Sequence, residues 1–164
     1  NIARTTKTGF ELEMTARPIP RLDVTLGIGT ADGVIKSFAG QPAAVNNKTP
    51  QANGYTINSS IQYQIPLNDS LTLRPFAGIE RRGPIYWSAD NSFKTGPKTI
   101  MDLRLFLEGE EWSLGAYARN ITNTRYPTVV APNGADFTFL GGPMVSLRSM
   151  NTPRTYGIEA SYRF

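Results

Sequence analysis

Neither cysteine nor histidine occurs anywhere in the 164 residues. The first absence removes disulfide frameworks and thiolate metal sites. The second removes the commonest general base and the commonest transition-metal ligand. Ser-His, Cys-His and His-based zinc chemistry are therefore excluded, no enzymatic activity is expected, and no cofactor is called for. Long apolar runs are also missing: nothing approaches the ~18 to 20 consecutive apolar residues of a membrane helix, and the start, NIARTTKTGF, has no signal-peptide core. That leaves transmembrane strands open, because a strand crosses with only ~9 to 11 residues, every second one apolar. The net charge is +4, but Lys and Arg are scattered singly apart from Arg81-Arg82. A scattered charge of this kind gives no basic stripe, so no nucleic-acid partner is expected. The hydrophobic fraction of 40% lies below the usual share for globular chains, while the length fits one domain.

What the chain does have is alternation. Phe10, Leu12, Met14 and Ala16 alternate with Glu11, Glu13, Thr15 and Arg17, and Leu22, Val24, Leu26 and Ile28 alternate with Asp23, Thr25, Gly27 and Gly29. The same period of two runs through Tyr55–Ile65, Leu71–Glu80, Met101–Glu108, Trp112–Arg119 and the final PRTYGIEASYRF. This predicts an all-β, antiparallel up-and-down meander of about seven strands. Chain ends usually fray, so an alternating stretch that ends on Phe164 predicts an end docked in a sheet.

The connections alternate as well. Pro18-Ile19-Pro20, Pro66-Leu67-Asn68-Asp69 and Gly109-Glu110 are short turns rich in turn formers. Ala31 to Gly54, Arg82 to Lys98 and Thr122 to Asn151 all exceed the ~12 to 15 residues that compact domains carry without purpose. One rim of the sheet is thus trimmed to tight turns and the other is built of large loops, the asymmetry of an outer-membrane barrel.

A water-soluble sandwich would alternate in the same way, but three details favour lipid. The polar faces carry charge in mid-strand, as with Asp102 and Arg104 or Glu13 and Arg17. The strands run to about ten residues, longer than the ~5 to 6 typical of soluble sheets. Tyr55 and Tyr63, like Tyr156 and Phe164, sit eight residues apart on one face; at ~3.3 Å per residue and a tilt of ~40° that spans roughly 20 Å, near the ~25 Å apolar band between aromatic girdles.

Four stretches, TPQANGYTINSSIQYQIP, RRGPIYWSADN, LEGEEWSLGAYARNITNTRYP and PRTYGIEASYRF, resemble in order the C-terminal part of a TonB-dependent outer-membrane receptor. WSLGAYARNITNTRY is the most specific, similar to the family's penultimate strand with its Asn-aliphatic-x-x-x-Arg-Tyr ending. The resemblance implies a large transmembrane barrel in the outer membrane of a Gram-negative bacterium, importing a scarce small-molecule nutrient such as a ferric siderophore. Implied partners are outer-membrane lipid, TonB acting through a plug, and the barrel-assembly machinery. The last recognises a terminal strand whose matching positions here are Tyr156, Ile158, Ala160, Tyr162 and Phe164.

A receptor of this family has a plug inside 22 strands. The expectation is therefore that residues 1–164 form the C-terminal portion of the barrel, with the plug and earlier strands absent and both outer strands open to pairing. Candidate ligand contacts lie in the long loops: Arg81, Arg82, Tyr86 and Trp87 in the second, and Phe137, Phe139 and Met144 in the third. An arginine pair suits an anionic ferric complex and aromatics suit a flat ligand, but girdle and loop packing is the stronger reading of RRGPIYW and accounts for it fully. Glu108, Glu110 and Glu111 lack a closed oxygen cage for metal, and Glu11 and Glu13 read as lumen-lining. Two rivals come from other classes. A soluble lipocalin-like ligand-binding barrel would turn its apolar faces inward and need an eighth strand; an outer-membrane protease or lipase is opposed by the lack of histidine.

Overall fold

The computed structural model describes residues 3–136 and 144–164. In chain order the strands are β1 (Ala3–Ala16), β2 (Leu22–Phe38), β3 (Tyr55–Tyr63), β4 (Ile65–Pro66), β5 (Thr72–Arg82), β6 (Ile85–Tyr86), β7 (Lys94–Thr95), β8 (Lys98–Glu108), β9 (Trp112–Arg119), β10 (Pro127–Asp136), β11 (Met144–Met150) and β12 (Thr155–Tyr162). A 3-10 turn, Pro42–Ala44, follows β2. The main sheet runs β1-β2-β3-β5-β8-β9-β12. Every neighbouring pair is antiparallel, and β4 continues β3 against β5 in the same register, Gln62 opposite Phe76 and then Ile65 opposite Leu73. The expected seven-strand meander is therefore the architecture found.

Register explains why the two faces differ so sharply. Directly paired residues share a face, and the rows run unbroken across strands: Ala16 and Val24 lead to Ile61 and Ala77, then to Leu103, Ala118 and Tyr156. Below them Pro75, Leu105, Ala116 and Ile158 align, then Leu73, Leu107, Leu114 and Ala160. A slip of one residue in any pair would turn that strand's apolar set to the opposite face. Nothing in the described residues covers this face. Ile158 is 81% exposed and Phe10 60%, and none of the buried apolar side chains, Ile35, Ala44, Ile85, Trp87 and Val130, lies in the seven-strand body below the long loops. A lipocalin-like barrel is thereby disfavoured, since its apolar faces would be packed against one another inside.

The opposite face is polar but not empty of rings. Phe106 lies over Gly115 and Tyr117 over Gly157, each ring facing the glycine paired with it across the ladder. A Cβ at either glycine would collide with the ring above it, so the glycines are what let the rings lie flat on the sheet. Arg104 stacks on Phe76 at 5.1 Å and Arg119 on Tyr117 at 4.8 Å. Arg74 pairs with Glu108 on this same face.

The bounds of β1, β2 and β12 differ from what the alternation predicts. β2 runs to Phe38 and β1 begins at Ala3, so the first hairpin climbs well beyond the rim; polar residues such as Thr5, Thr6, Lys7 and Asp32 concealed this because their ladder bonds need no apolar stripe. At the other end, β12 is paired through Tyr162, opposite Trp112, and Arg163 N–H still donates to the Glu111 carbonyl at 2.7 Å. Phe164 lies beyond the ladder and is fully exposed. The docked end is thus Tyr162 rather than the final residue.

Candidate ligand site at the long-loop rim

The short-turn rim is simple. Leu22 N–H closes on the Ile19 carbonyl, Leu67 N–H on Leu71, and Gly109 N–H on Trp112, with Asn68 accepting from Ser70 in the middle turn. Tyr63, Trp112 and Tyr162 stand along this rim on the apolar face, and the Tyr162 hydroxyl donates to Glu111 Oε2 at 2.9 Å.

The long-loop rim is braced across strands. Asn120, buried and in the left-handed region at φ 50°, ends β9. Its backbone N–H donates to Asp102 Oδ1 at 2.8 Å, its amide nitrogen donates to the Thr124 and Thr152 carbonyls, and its Oδ1 accepts from Thr124 N–H. Asn is one of the few residues other than glycine that tolerates this backbone conformation, and here its side chain repeats the bonds a backbone turn would make. Asn151 adds Tyr126 N–H to Oδ1 and its own amide to the Thr124 carbonyl, and Thr124 Oγ1 donates to the Thr99 carbonyl. Asn123 Oδ1 accepts from Arg154 N–H. The NITNTRY stretch is therefore a clasp between β8, β9 and β12.

Above the clasp the loops form a small core of their own. Ile85, Trp87 and Val130 are buried together with Phe93 against them, and Trp87 Nε1 donates to Thr95 Oγ1 at 3.2 Å. The first loop joins this cap through Gln51 N–H to the Tyr86 carbonyl, and through Asn91, which accepts from Lys48 N–H and donates to the Lys48 carbonyl. Asp90 accepts bonds within the same turn; the Ser88 side chain, then the Ser92 backbone and hydroxyl, hold its carboxyl below the usual carboxylate range.

The residues singled out in the sequence fall into separate places in this frame. Arg81 and Arg82 do not act as a pair: adjacent strand residues point to opposite faces. Arg82 is on the polar face, ion-paired with Glu80 and directly opposite Lys98. Arg81 is on the apolar face, its guanidinium donating to Tyr55 Oη at 3.3 Å and Thr99 Oγ1 at 3.1 Å. Trp87 is only 8% exposed and serves the cap core. Tyr86 is half-buried, with Lys94 over its ring at 5.1 Å. Phe137 and Phe139 lie outside the described residues, and for Met144 the structure gives only its backbone position at the start of β11. Of the terminal-strand positions, Tyr156, Ile158, Ala160 and Tyr162 line one exposed face of the edge strand β12.

Lys98 carried no mark in the sequence. Only 7% exposed, it sits beside Arg82 with its ammonium 4.2 Å from the Tyr126 ring centre. Its place two residues after Gly96, at a strand start, is no signal for burial. Together Glu80, Arg82, Lys98 and Tyr126 place two cations and one carboxylate on the polar face just below the loop cap. A net positive site next to an aromatic ring attracts anions carrying flat, polarisable groups.

No family model matches the sequence. Among solved structures, the ferric yersiniabactin uptake receptor FyuA from Yersinia pestis superimposes with a TM-score of 0.84 at 23% identity, covering 100% of this chain and 24% of the receptor. BauA, the ferric preacinetobactin receptor from Acinetobacter baumannii, gives a TM-score of 0.74 at 18% identity over 98% of this chain and 22% of its own length. Fiu, the ferric-catecholate import receptor of E. coli K12, gives 0.74 at 17% over 99% and 21%. These similar structures are transport receptors, and this chain spans about a quarter of their length. The fold is that of a barrel segment of TonB-dependent siderophore receptors.

Proposed function

We propose that the chain is part of a TonB-dependent receptor in the outer membrane of a Gram-negative bacterium that imports a ferric siderophore. The observation that carries this reading is the uncovered apolar face, continuous over all seven strands and backed by a polar face with charges in mid-strand. Lipid is the medium that suits such a face, and a water-filled or plugged lumen suits the other. The short-turn rim then faces the periplasm and the loop cap faces outward. Residues 1–164 supply the C-terminal portion of the barrel; the plug and its contact with TonB belong to other parts of the receptor, and β12 carries the strand that the assembly machinery would read.

Within this portion, Arg82 is the cation best placed to meet an anionic ferric complex below the loops, with the buried Lys98 adding positive charge behind it, Tyr126 and Tyr86 as aromatic neighbours, and Phe137 and Phe139 as further candidates from the third loop. The chemistry is binding and release, with no covalent step; the lack of histidine supports this. The test is iron uptake. A strain lacking the receptor is complemented with the full-length protein or with its Arg82→Gln, Lys98→Gln form, and supplied in turn with labelled ferric catecholate, hydroxamate and phenolate siderophores. The expected result is uptake of one class by the wild type, with the receptor in the outer-membrane fraction, and an apparent affinity about tenfold weaker in the variant, the loss of roughly one charge-assisted hydrogen bond. Uptake of none of the three, or uptake unchanged by receptor loss, would overturn the assignment.

A further inference from the structure

In the importer proposed above, a ligand captured at the rim must still pass the height of the barrel, and the wall below the rim site repeats its chemistry. Phe76, Arg104, Tyr117 and Gly157 stand in one row on the polar face of β5, β8, β9 and β12. Arg104 lies over the Phe76 ring at 5.1 Å, and Arg119, two residues beyond Tyr117 on β9, lies over the Tyr117 ring at 4.8 Å. Both rings rest beside glycine, Phe76 along Gly78 and Tyr117 on Gly157, where a Cβ would collide with the ring. Each stack thus seats a guanidinium on a ring that itself lies on the sheet. Among the described residues neither arginine has a carboxylate within ion-pair distance. One strand spacing and two residues apart, Arg104 and Arg119 are separated by roughly 8 Å along the wall.

The upper and lower clusters are joined. Arg82 and Phe76 are six residues apart on β5, as are Lys98 and Arg104 on β8. At ~3.3 Å per residue the lower cluster therefore lies roughly 20 Å down the strands. Between the two a recess of about 290 Å³ is lined by Asn58, Ser60, Gly78, Glu80, Asp102 and Arg104. Both of its carboxylates are engaged, Glu80 by Arg82 and Asp102 by the Asn120 N–H, which offsets part of their charge. An anion leaving the rim thus meets a recess and then two cations without carboxylate partners, each held on an aromatic ring.

We propose that Arg104 and Arg119, seated on Phe76 and Tyr117, are a second station for the anionic ferric ligand on the barrel wall, occupied in transit after the ligand has left the rim. Guanidinium planes take anions through paired donors and are weakly hydrated, so the lower cluster offers the ligand the same kind of contact that it gives up above. Passage along a lumen needs sites strong enough to enter and divided enough to leave, and two stations of like chemistry meet that condition. The proposal rests on the reading of the chain as part of an importer.

The test separates capture from passage. A strain lacking the receptor is complemented with the full-length protein or with its Arg104→Gln, Arg119→Gln form, and radiolabelled ferric catecholate, hydroxamate and phenolate siderophores are supplied in turn. In cells de-energised with a protonophore, which blocks TonB-driven import, the variant is expected to capture the transported complex with wild-type affinity. In energised cells its maximal uptake rate should fall about tenfold, the equivalent in rate of one charge-assisted hydrogen bond. Arg104→Gln alone, the milder change, should give about a threefold loss on the same scale. Wild-type uptake rates in both variants overturn the proposal, as does capture weakened as much as uptake. Arginines that instead brace the plug give a different result: their removal opens an ion leak in planar bilayers and lowers the thermal midpoint of the purified protein. A leak or a drop of that kind alongside the uptake loss overturns the proposal as well; the expected outcome is neither. Absence of uptake by the wild type strikes instead at the importer reading beneath it.

Discussion

The two rims of the sheet are closed by different means. At the short-turn rim each hairpin is closed locally, by backbone bonds such as Leu67 to Leu71 and Gly109 to Trp112, and side chains add separate contacts between near neighbours: the exposed Arg17–Asp23 ion pair, Arg74 with Glu108, Ser70 N–H to Asn68 Oδ1, and the Tyr162 hydroxyl to Glu111. At the long-loop rim closure is collective: Asn120 and Asn151 tie three segments together, and Ile85, Trp87, Val130 and Phe93 form a core that the strands below entirely lack. The difference teaches that a barrel whose apolar surface faces outward keeps its conventional core in the loops. Long loops carry an ordering entropy that grows with length, and local packing is what offsets it.

Substitutions at three positions bear on that comparison. Trp87→Ala should open the cap with a local cost of about 3 kcal/mol, by loss of a buried aromatic. Hydrogen exchange in the full-length protein would then rise through residues 85–95 and at Val130 but not in the short turns. Equal change at both rims would mean that the loop core is not a separate unit. Asn120→Ala should cost about 2 kcal/mol, since it strands the Thr124 N–H and leaves alanine in a left-handed conformation. Its signature is faster exchange of the Thr124 and Arg154 amides; Asn120→Gly, which restores the backbone freedom only, should recover a minor part. Arg17→Ala is the counterpart at the short-turn rim. An exposed pair is worth no more than about 1 kcal/mol, so the thermal midpoint of the full-length protein should hardly move, and a large drop would show that this rim too is held by side chains.

Much of this was legible in the chain. Strict alternation identified β3, β5, β8, β9 and β12 with ends within a few residues, because a face in contact with an apolar medium tolerates few polar side chains. The resemblance carried by NITNTRY proved structural in content: Asn120 and Asn123 both take positive φ and both brace the turn. Where side chains mattered less, boundaries slipped, as in the extension of β2 to Phe38 through Lys36 and Ser37. The candidate site was half legible. RRGPIYW drew attention to the right region, but a run of letters does not say that Arg81 and Arg82 diverge, that Trp87 turns into the cap, or that Lys98 is buried.

By itself the sequence determined the seven strands of the main sheet, the short and long connections between them, and which face of each of these strands is apolar; the hairpins β6–β7 and β10–β11 inside the long connections it did not show. What it did determine follows from a period of two and from turn chemistry, both of which act over a few residues. Only the tertiary structure decided which charges meet. Arg82 opposite Lys98, Asp102 beneath Asn120, and Arg104 on the Phe76 ring are products of ladder register across long loops, and register joins residues that no local pattern connects.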